Sequence, residues 1–157
     1  MKPNNVTRLL DQHKIPYQAF ELPAEKLSAL AVAQFLGVPE RLVYKTIVVI
    51  RLVKGKPILA IIPGPAEVDL KALAMVLHEK KVSLPTEREA ERLTGLQAGG
   101  ISALALLNKG FQVVLDTEAQ NHAEIYISGG QRGMDIRLPV KNLVQLTNAV
   151  IAEISRD

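Results

Sequence analysis

The sequence predicts an α/β fold of the α+β type, with one largely antiparallel or mixed sheet wrapped by helices. Three observations carry this. The chain has 157 residues and 48% of them are hydrophobic, enough for one well-filled core. Strand-like runs rich in β-branched residues lie at 43–53 and 57–62, and three more follow at 111–115, 124–128 and 134–138. Helical stretches fall between and around them without the regular βαβ alternation of a doubly wound sheet.

The elements follow in order. Residues 6–10 read as a short amphipathic helix capped by Asn4 or Asn5, and Pro16 closes that unit. Residues 17–20 form a short strand. A second helix covers 27–36, with Gly37 and then Pro39 as stop signals. The strands at 43–53 and 57–62 are joined through Lys54-Gly55-Lys56, read as a hairpin turn. Pro63-Gly64-Pro65 breaks the chain. Asp69 caps a helix running to about Glu79, and Thr86 with Glu89 has capping-box spacing for another that Gly95 ends. Residues 97–102 are loop. After the last three strands, Pro139 opens a final helix carrying Leu143, Leu146, Val150 and Ile154 at helical spacing. No repeat, linker or low-complexity tract divides residues 1–157, which read as a single domain.

Composition excludes several chemistries. The chain has no Cys, so disulfides, thiolate-metal sites and a Cys nucleophile are absent. The N-terminal residues lack the apolar core of a signal peptide, and no apolar run approaches the roughly 18 residues of a membrane span. A cytoplasmic protein is expected. The net charge of +3 is compatible with a nucleic-acid partner without demanding one. With no Trp and few other aromatics, a base-stacking platform is poorly supported. No His-x-His, His-Glu-x-x-His or acidic cluster marks a metal site, and no cofactor motif is present. His122 and Ser128 in one strand would stand about 20 Å apart, too far for a Ser-His pair. An enzyme built from this chain would work by positioning and polarising its substrate.

Lys45 is the most informative residue. Val43, Lys45, Ile47 and Val49 share one strand face, and Tyr44, Thr46, Val48 and Ile50 the other. Both faces are mostly apolar. Either an anion or a wet cleft receives the ammonium, or the flexible stem carries it to solvent. Gly99-Gly100-Ile101-Ser102 is a flexible segment that is either an ordinary loop or one that lets backbone N–H groups approach a ligand. Ser128-Gly129-Gly130-Gln131-Arg132-Gly133 is not a dinucleotide or P-loop motif, since a strand follows it; it is a connection between two strands. Ser128 and Asp135 flank it as pocket residues or as polar surface.

The blocks Val43-Tyr44-Lys45-Thr46, Gly99-Gly100-Ile101-Ser102 and Ile125-Tyr126-Ile127-Ser128-Gly129-Gly130-Gln131-Arg132-Gly133-Met134-Asp135-Ile136 occur in this order. The arrangement resembles the YbaK/EbsC family, related to the editing domain of bacterial prolyl-tRNA synthetase, over essentially the whole chain. The resemblance implies a barrel-like mixed sheet with flanking helices. It implies an aminoacyl-tRNA deacylase that acts in trans on mischarged tRNA, most often Cys-tRNA(Pro), without a protein nucleophile or cofactor. In the cysteine-specific branch the substrate thiol attacks its own ester. The resemblance implies that Lys45 holds the phosphate of the tRNA 3′ end. It further implies that the backbone of Gly99 and Gly100 meets the aminoacyl carbonyl, that Ser128 and Asp135 line the aminoacyl pocket, and that Tyr44, Thr46, Ile101 and Gly129 also bind substrate. Partners would be the tRNA 3′ end and, as a further candidate, prolyl-tRNA synthetase; nothing sets an oligomeric state. The chain departs from the family at Ala103, commonly Pro, and at Ala105, frequently Gly; residues 20–28, which should help shape the amino-acid pocket, match the cysteine branch poorly. A non-catalytic module binding an aminoacyl or nucleotide group would use the same pocket.

Overall fold

Local signals set most of the helix ends. A computed structural model describes residues 1–157. Helix α1 (Asn5–Gln12) starts where the Asn4 side chain accepts from the Thr7 amide at 2.9 Å, while the Asn4 amide donates to the Thr7 hydroxyl. Its Val6 and Leu10 are one helical turn apart and both buried. Strand β1 (Gln18–Glu21) follows. Helix α2 (Ala29–Leu36) is capped by Ser28 and ended by Gly37 at φ 69°, a left-handed conformation that glycine adopts freely.

The β-branched run becomes β2 (Tyr44–Arg51), and β3 (Ile58–Pro63) is buried along its whole length. A two-residue β4 (Glu67–Val68) precedes α3 (Leu70–Val76), which Asp69 caps through the Ala72 amide at 3.0 Å. After β5 (Val82–Ser83), α4 (Glu87–Thr94) runs from its Thr86 cap to Gly95. The second half adds β6 (Gln112–Asp116), β7 (Glu124–Ser128), β8 (Met134–Pro139), α5 (Val140–Thr147), β9 (Val150–Ala152) and β10 (Ser155–Arg156).

The strands form a five-stranded mixed sheet in the order β5-β2-β3-β6-β9, a three-stranded antiparallel sheet β1-β8-β7, and the pair β10-β4. β2 runs antiparallel to β3, with Lys45 opposite Ile62, whereas β3-β6 and β6-β9 are parallel. Alternate residues of β3 feed two cores. Leu59 and Ile61 join the larger one with α1, β7 and β8, and Ile58, Ala60 and Ile62 join the one under α3.

Three expectations are corrected. The sheet does not close into a barrel. The two larger sheets pack face to face through the main core, but a single β-bridge, Val43 to Tyr126, joins their strands. β2 has β3 along one edge and gives the far end of its other edge to β5, so only its start can meet β7. The gap between those diverging edges holds the cavity described below.

The final helix ends at Thr147, because Asn148 turns left-handed at φ 53°. The apolar residues at 150 and 154 leave the helix. Val150–Ala152 pairs with β6, and Ile154 is fully buried in the α3 core. The Asp116 carboxylate fixes this segment, accepting from the Ile154 amide and the Ser155 hydroxyl, each at 3.0 Å. The hairpin loop is wider than Lys54-Gly55-Lys56, since Ile50 and Arg51 pair with β5 instead of β3.

Candidate functional site

A cavity of about 240 Å³ opens between β2, the approach to α2 and its first turns, the loop after α4, and the ends of β7 and β8. Eight of its 13 lining residues are hydrophobic. Of the residues singled out in the sequence, Tyr44, Lys45, Thr46, Gly99, Ile101, Ser128 and Asp135 line it. Gly100 and Gly129 do not; each packs behind the wall.

Lys45 is half-buried at the cavity and forms no ion pair with any carboxylate. Asp135 lies on the central strand of the small sheet, opposite Ser128 on one side and Phe20 on the other. It is 7% exposed, and no protein donor reaches its carboxylate. Burial pushes its carboxyl from the usual 3.8 up to about 7. Tyr44 is buried and its hydroxyl has no partner. Burial, then the carboxylates of Glu118 and Asp116, raise its pKa.

The loop from Gln97 to Ile101 is held at several points. Gly99 is left-handed, at φ 87°. The Gly100 amide donates to Gln97 O at 2.8 Å. The Ala98 amide donates to Glu91 of α4 at 2.8 Å, and Ala98 O accepts from Arg132 Nε at 2.7 Å. The amides of Gly99 and Ile101 donate to no protein acceptor, so two free donors stand in the cavity-lining segment.

Gly100 is required for contact. A Cβ there would sit 2.9 Å from three backbone atoms of Gln131 and Arg132. Gly100→Ala is therefore expected to lower stability by about 1–3 kcal/mol and to displace the loop. Thermal melting together with the turnover of the variant checks this.

The β7–β8 turn is closed by the Gly129 amide donating to Met134 O at 2.8 Å. The Gly130 amide donates to the Ser128 hydroxyl at 3.2 Å. Asn4 Nδ2 reaches across from the start of α1 to donate to Gly129 O at 2.9 Å. A Cβ on Gly129 would lie 2.6 Å from Met134 Cγ and Sδ, which explains a glycine there.

Sequence reasoning misses Arg132 and Glu91 as loop anchors, Asn4 as a turn anchor, and Ala29 and Val32 as walls; Leu27 falls in the 20–28 segment, which the family resemblance implies helps to shape the amino-acid pocket. Arg132 stands inside the most distinctive sequence block, so its place was available. Asn4 reads as a cap, without its second contact. Glu91 carries no local signal. No group of three or more His, Cys, Asp or Glu side chains is placed to hold a metal ion.

Residues 24–146 match the family described as the aminoacyl-tRNA editing domain. The chain is 39% identical over 153 residues to EbsC of Enterococcus faecalis, covering 96% of this chain and 92% of that protein. EbsC is named as a candidate Cys-tRNA(Pro)/Cys-tRNA(Cys) deacylase. Among solved structures, the hypothetical protein APE2540 superposes with a TM-score of 0.89 at 23% identity, over 98% of this chain and all of that one. A candidate trans-editing enzyme for prolyl tRNA synthetase does so with a TM-score of 0.80 at 23% identity, over 99% of this chain and all of that one. At such identities these two report on fold. The match over most of the chain and the EbsC likeness carry the assignment: the chain belongs to the family of aminoacyl-tRNA editing domains, and its enzyme class is that of the aminoacyl-tRNA deacylases.

Proposed function

We propose that residues 1–157 form one editing domain that hydrolyses mischarged tRNA in trans, with Cys-tRNA(Pro) as its first substrate. The observation that carries this is the joint placement of Lys45, Asp135, Ser128 and the Gly99 loop around one small cavity, in a chain 39% identical to EbsC. At about 30 Å³ per water, the cavity holds the equivalent of roughly eight waters. That suits an aminoacyl group, with the nucleotide lying at the mouth.

In this reading the Lys45 ammonium meets the phosphate next to the terminal ribose; it has no carboxylate to give up first. The free amides of Gly99 and Ile101 face charge developing on the ester carbonyl oxygen as the nucleophile adds. The chain supplies no nucleophile of its own. The attacking group is the substrate thiol, a ribose hydroxyl or water, and the leaving ribose oxygen takes a proton as the ester breaks. Asp135 and Ser128 receive the polar end of the aminoacyl group, and the apolar walls set its size. Prolyl-tRNA synthetase is a proposed partner, because it makes the tRNA(Pro) ester. The cytoplasm, where tRNA is charged, is the proposed place of action; no helix is long and apolar enough to cross a membrane.

The test is release of amino acid from Cys-tRNA(Pro), Ala-tRNA(Pro) and a panel of other mischarged tRNAs. We expect turnover above the buffer rate, greatest on Cys-tRNA(Pro). Binding of a non-hydrolysable aminoacyl-adenosine without turnover of any true ester would make the chain a binding module instead.

A further inference from the structure

The charge of the chain is unevenly spread. Of its 19 Lys and Arg residues, Arg51, Lys54, Lys56, Lys80, Lys81 and Lys109 gather at the end of the large sheet remote from Lys45, and of the 16 carboxylates Glu79 alone pairs with any of them. Apart from these six cations and Glu79, the chain holds two more carboxylates than cations. Contacts, not sequence distance, bring these segments together. The Leu52 amide donates to Lys81 O, and Ile50 and Arg51 pair with β5. A Cβ on Gly110 would lie 3.4 Å from Lys56 Cγ, so the loop carrying Lys109 rests on the Lys56 stem.

Arg51 organises this end from inside. It donates to Lys56 O at 2.9 Å, to Gln112 at 2.7 Å and to Glu79 at 2.6 Å. Glu79 thus neutralises the one cation that is largely covered. Lys54, Lys56, Lys80, Lys81 and Lys109 are all exposed and none is in an ion pair. Exposed like charges repel unless a polyanion meets them. Phe111, the one aromatic side chain here, lies under Lys56 Nζ, 5.6 Å from the ring centre. The surface is therefore made for phosphates and not for stacked bases.

We infer that this lysine cluster is a docking surface for the phosphate backbone of the tRNA whose 3′ end occupies the cavity. The inference rests on the deacylase reading, and it adds a second contact to it. Along β2, Lys45 and Arg51 are six residues apart, about 20 Å at strand rise. That is about two and a half times the screening length at physiological salt. An aminoacyl-nucleotide in the cavity does not feel the cluster, whereas a whole tRNA spans both. Contacts of this kind give affinity without sequence preference.

The test uses the full chain and a triple variant, Lys54→Gln, Lys80→Gln and Lys81→Gln, all at exposed positions. Binding of uncharged tRNA(Pro) is measured against salt, and hydrolysis is measured on Cys-tRNA(Pro) and on the cysteinyl ester of adenosine. The variant should bind at least tenfold more weakly at 0.1 M salt, and its log–log salt slope should fall by about three. It should lose kcat/KM on the tRNA and keep it on the small ester. Equal affinity and slope would overturn the inference and leave the deacylase reading intact. Lysine-dependent tRNA binding without hydrolysis of either ester would do the reverse. Unchanged tRNA affinity with lost binding to phosphatidylserine vesicles would also overturn the inference and give the surface to a membrane.

Discussion

Lys45→Ala is expected to lower kcat/KM for deacylation by about 10²–10³-fold while the melting temperature stays close to that of the parent chain. The two halves of this expectation have separate causes. Lys45 lines the cavity and has no carboxylate partner, so its removal orphans no buried charge and leaves the fold nearly indifferent. A fixed charge aimed at an anionic group in a partly desolvated site is worth about 3–4 kcal/mol to the reaction. Lys45→Arg is not expected to rescue fully, because the planar guanidinium is larger and directs its donors differently. Steady-state kinetics with a parallel melt decides it. Unchanged kinetics would remove Lys45 from the site.

Asp135→Asn should produce the largest change in pH behaviour. Its carboxyl titrates near 7 in the folded chain, against an ordinary 3.8. The folded state thus holds a proton that the unfolded state has released. Stability from this group is fully present below about pH 4, declines as pH rises through about 7, and is constant beyond. A tenfold change in proton affinity corresponds to about 1.4 kcal/mol, so the whole window spans about 4 kcal/mol at most. The amide carries no charge to desolvate. The variant should therefore be more stable than the parent at pH 8, by on the order of 2 kcal/mol, with the difference shrinking to nothing or reversing near pH 4. Deacylation should lose any inflection near pH 7 and fall overall. Melts from pH 4 to 8 check the first part. A parallel decline of both chains with pH would mean that Asp135 does not carry the proton.

The parts of the fold legible in the sequence are those decided within a few residues. Asn4, Asp69 and Thr86 cap as their residue types require, and Gly37 and Gly95 end their helices in left-handed turns, whereas Ser28, read as lying inside its helix, caps it. The tail after Asn148 misleads because Val150 and Ile154 satisfy a helical period, while a strand partner and the Asp116 carboxylate, both distant in the chain, decide the outcome. Sheet closure is illegible for a similar reason. Which strand edges are already occupied is a property of the assembled sheet.

In the site, Lys45 is visible as a cation on an apolar strand and Gly99-Gly100 as a flexible pair. That Gly99 lines the cavity while Gly100 lies against Gln131 and Arg132 is not visible, since it depends on a neighbour some thirty residues away.

The cavity's walls differ in how freely they can evolve. The Gly99 loop is fastened by Glu91 and Arg132 and wedged through Gly100, and the Ser128 turn is fastened by Asn4, so a substitution in either disturbs several elements at once. Leu27, Ala29 and Val32 enter from one apolar segment and make no polar anchor there. Exchanging them alters the volume left for the aminoacyl group and leaves the polarising half untouched. A lineage can thus acquire a new substrate amino acid through two or three hydrophobic exchanges on that one wall, without first losing its chemistry.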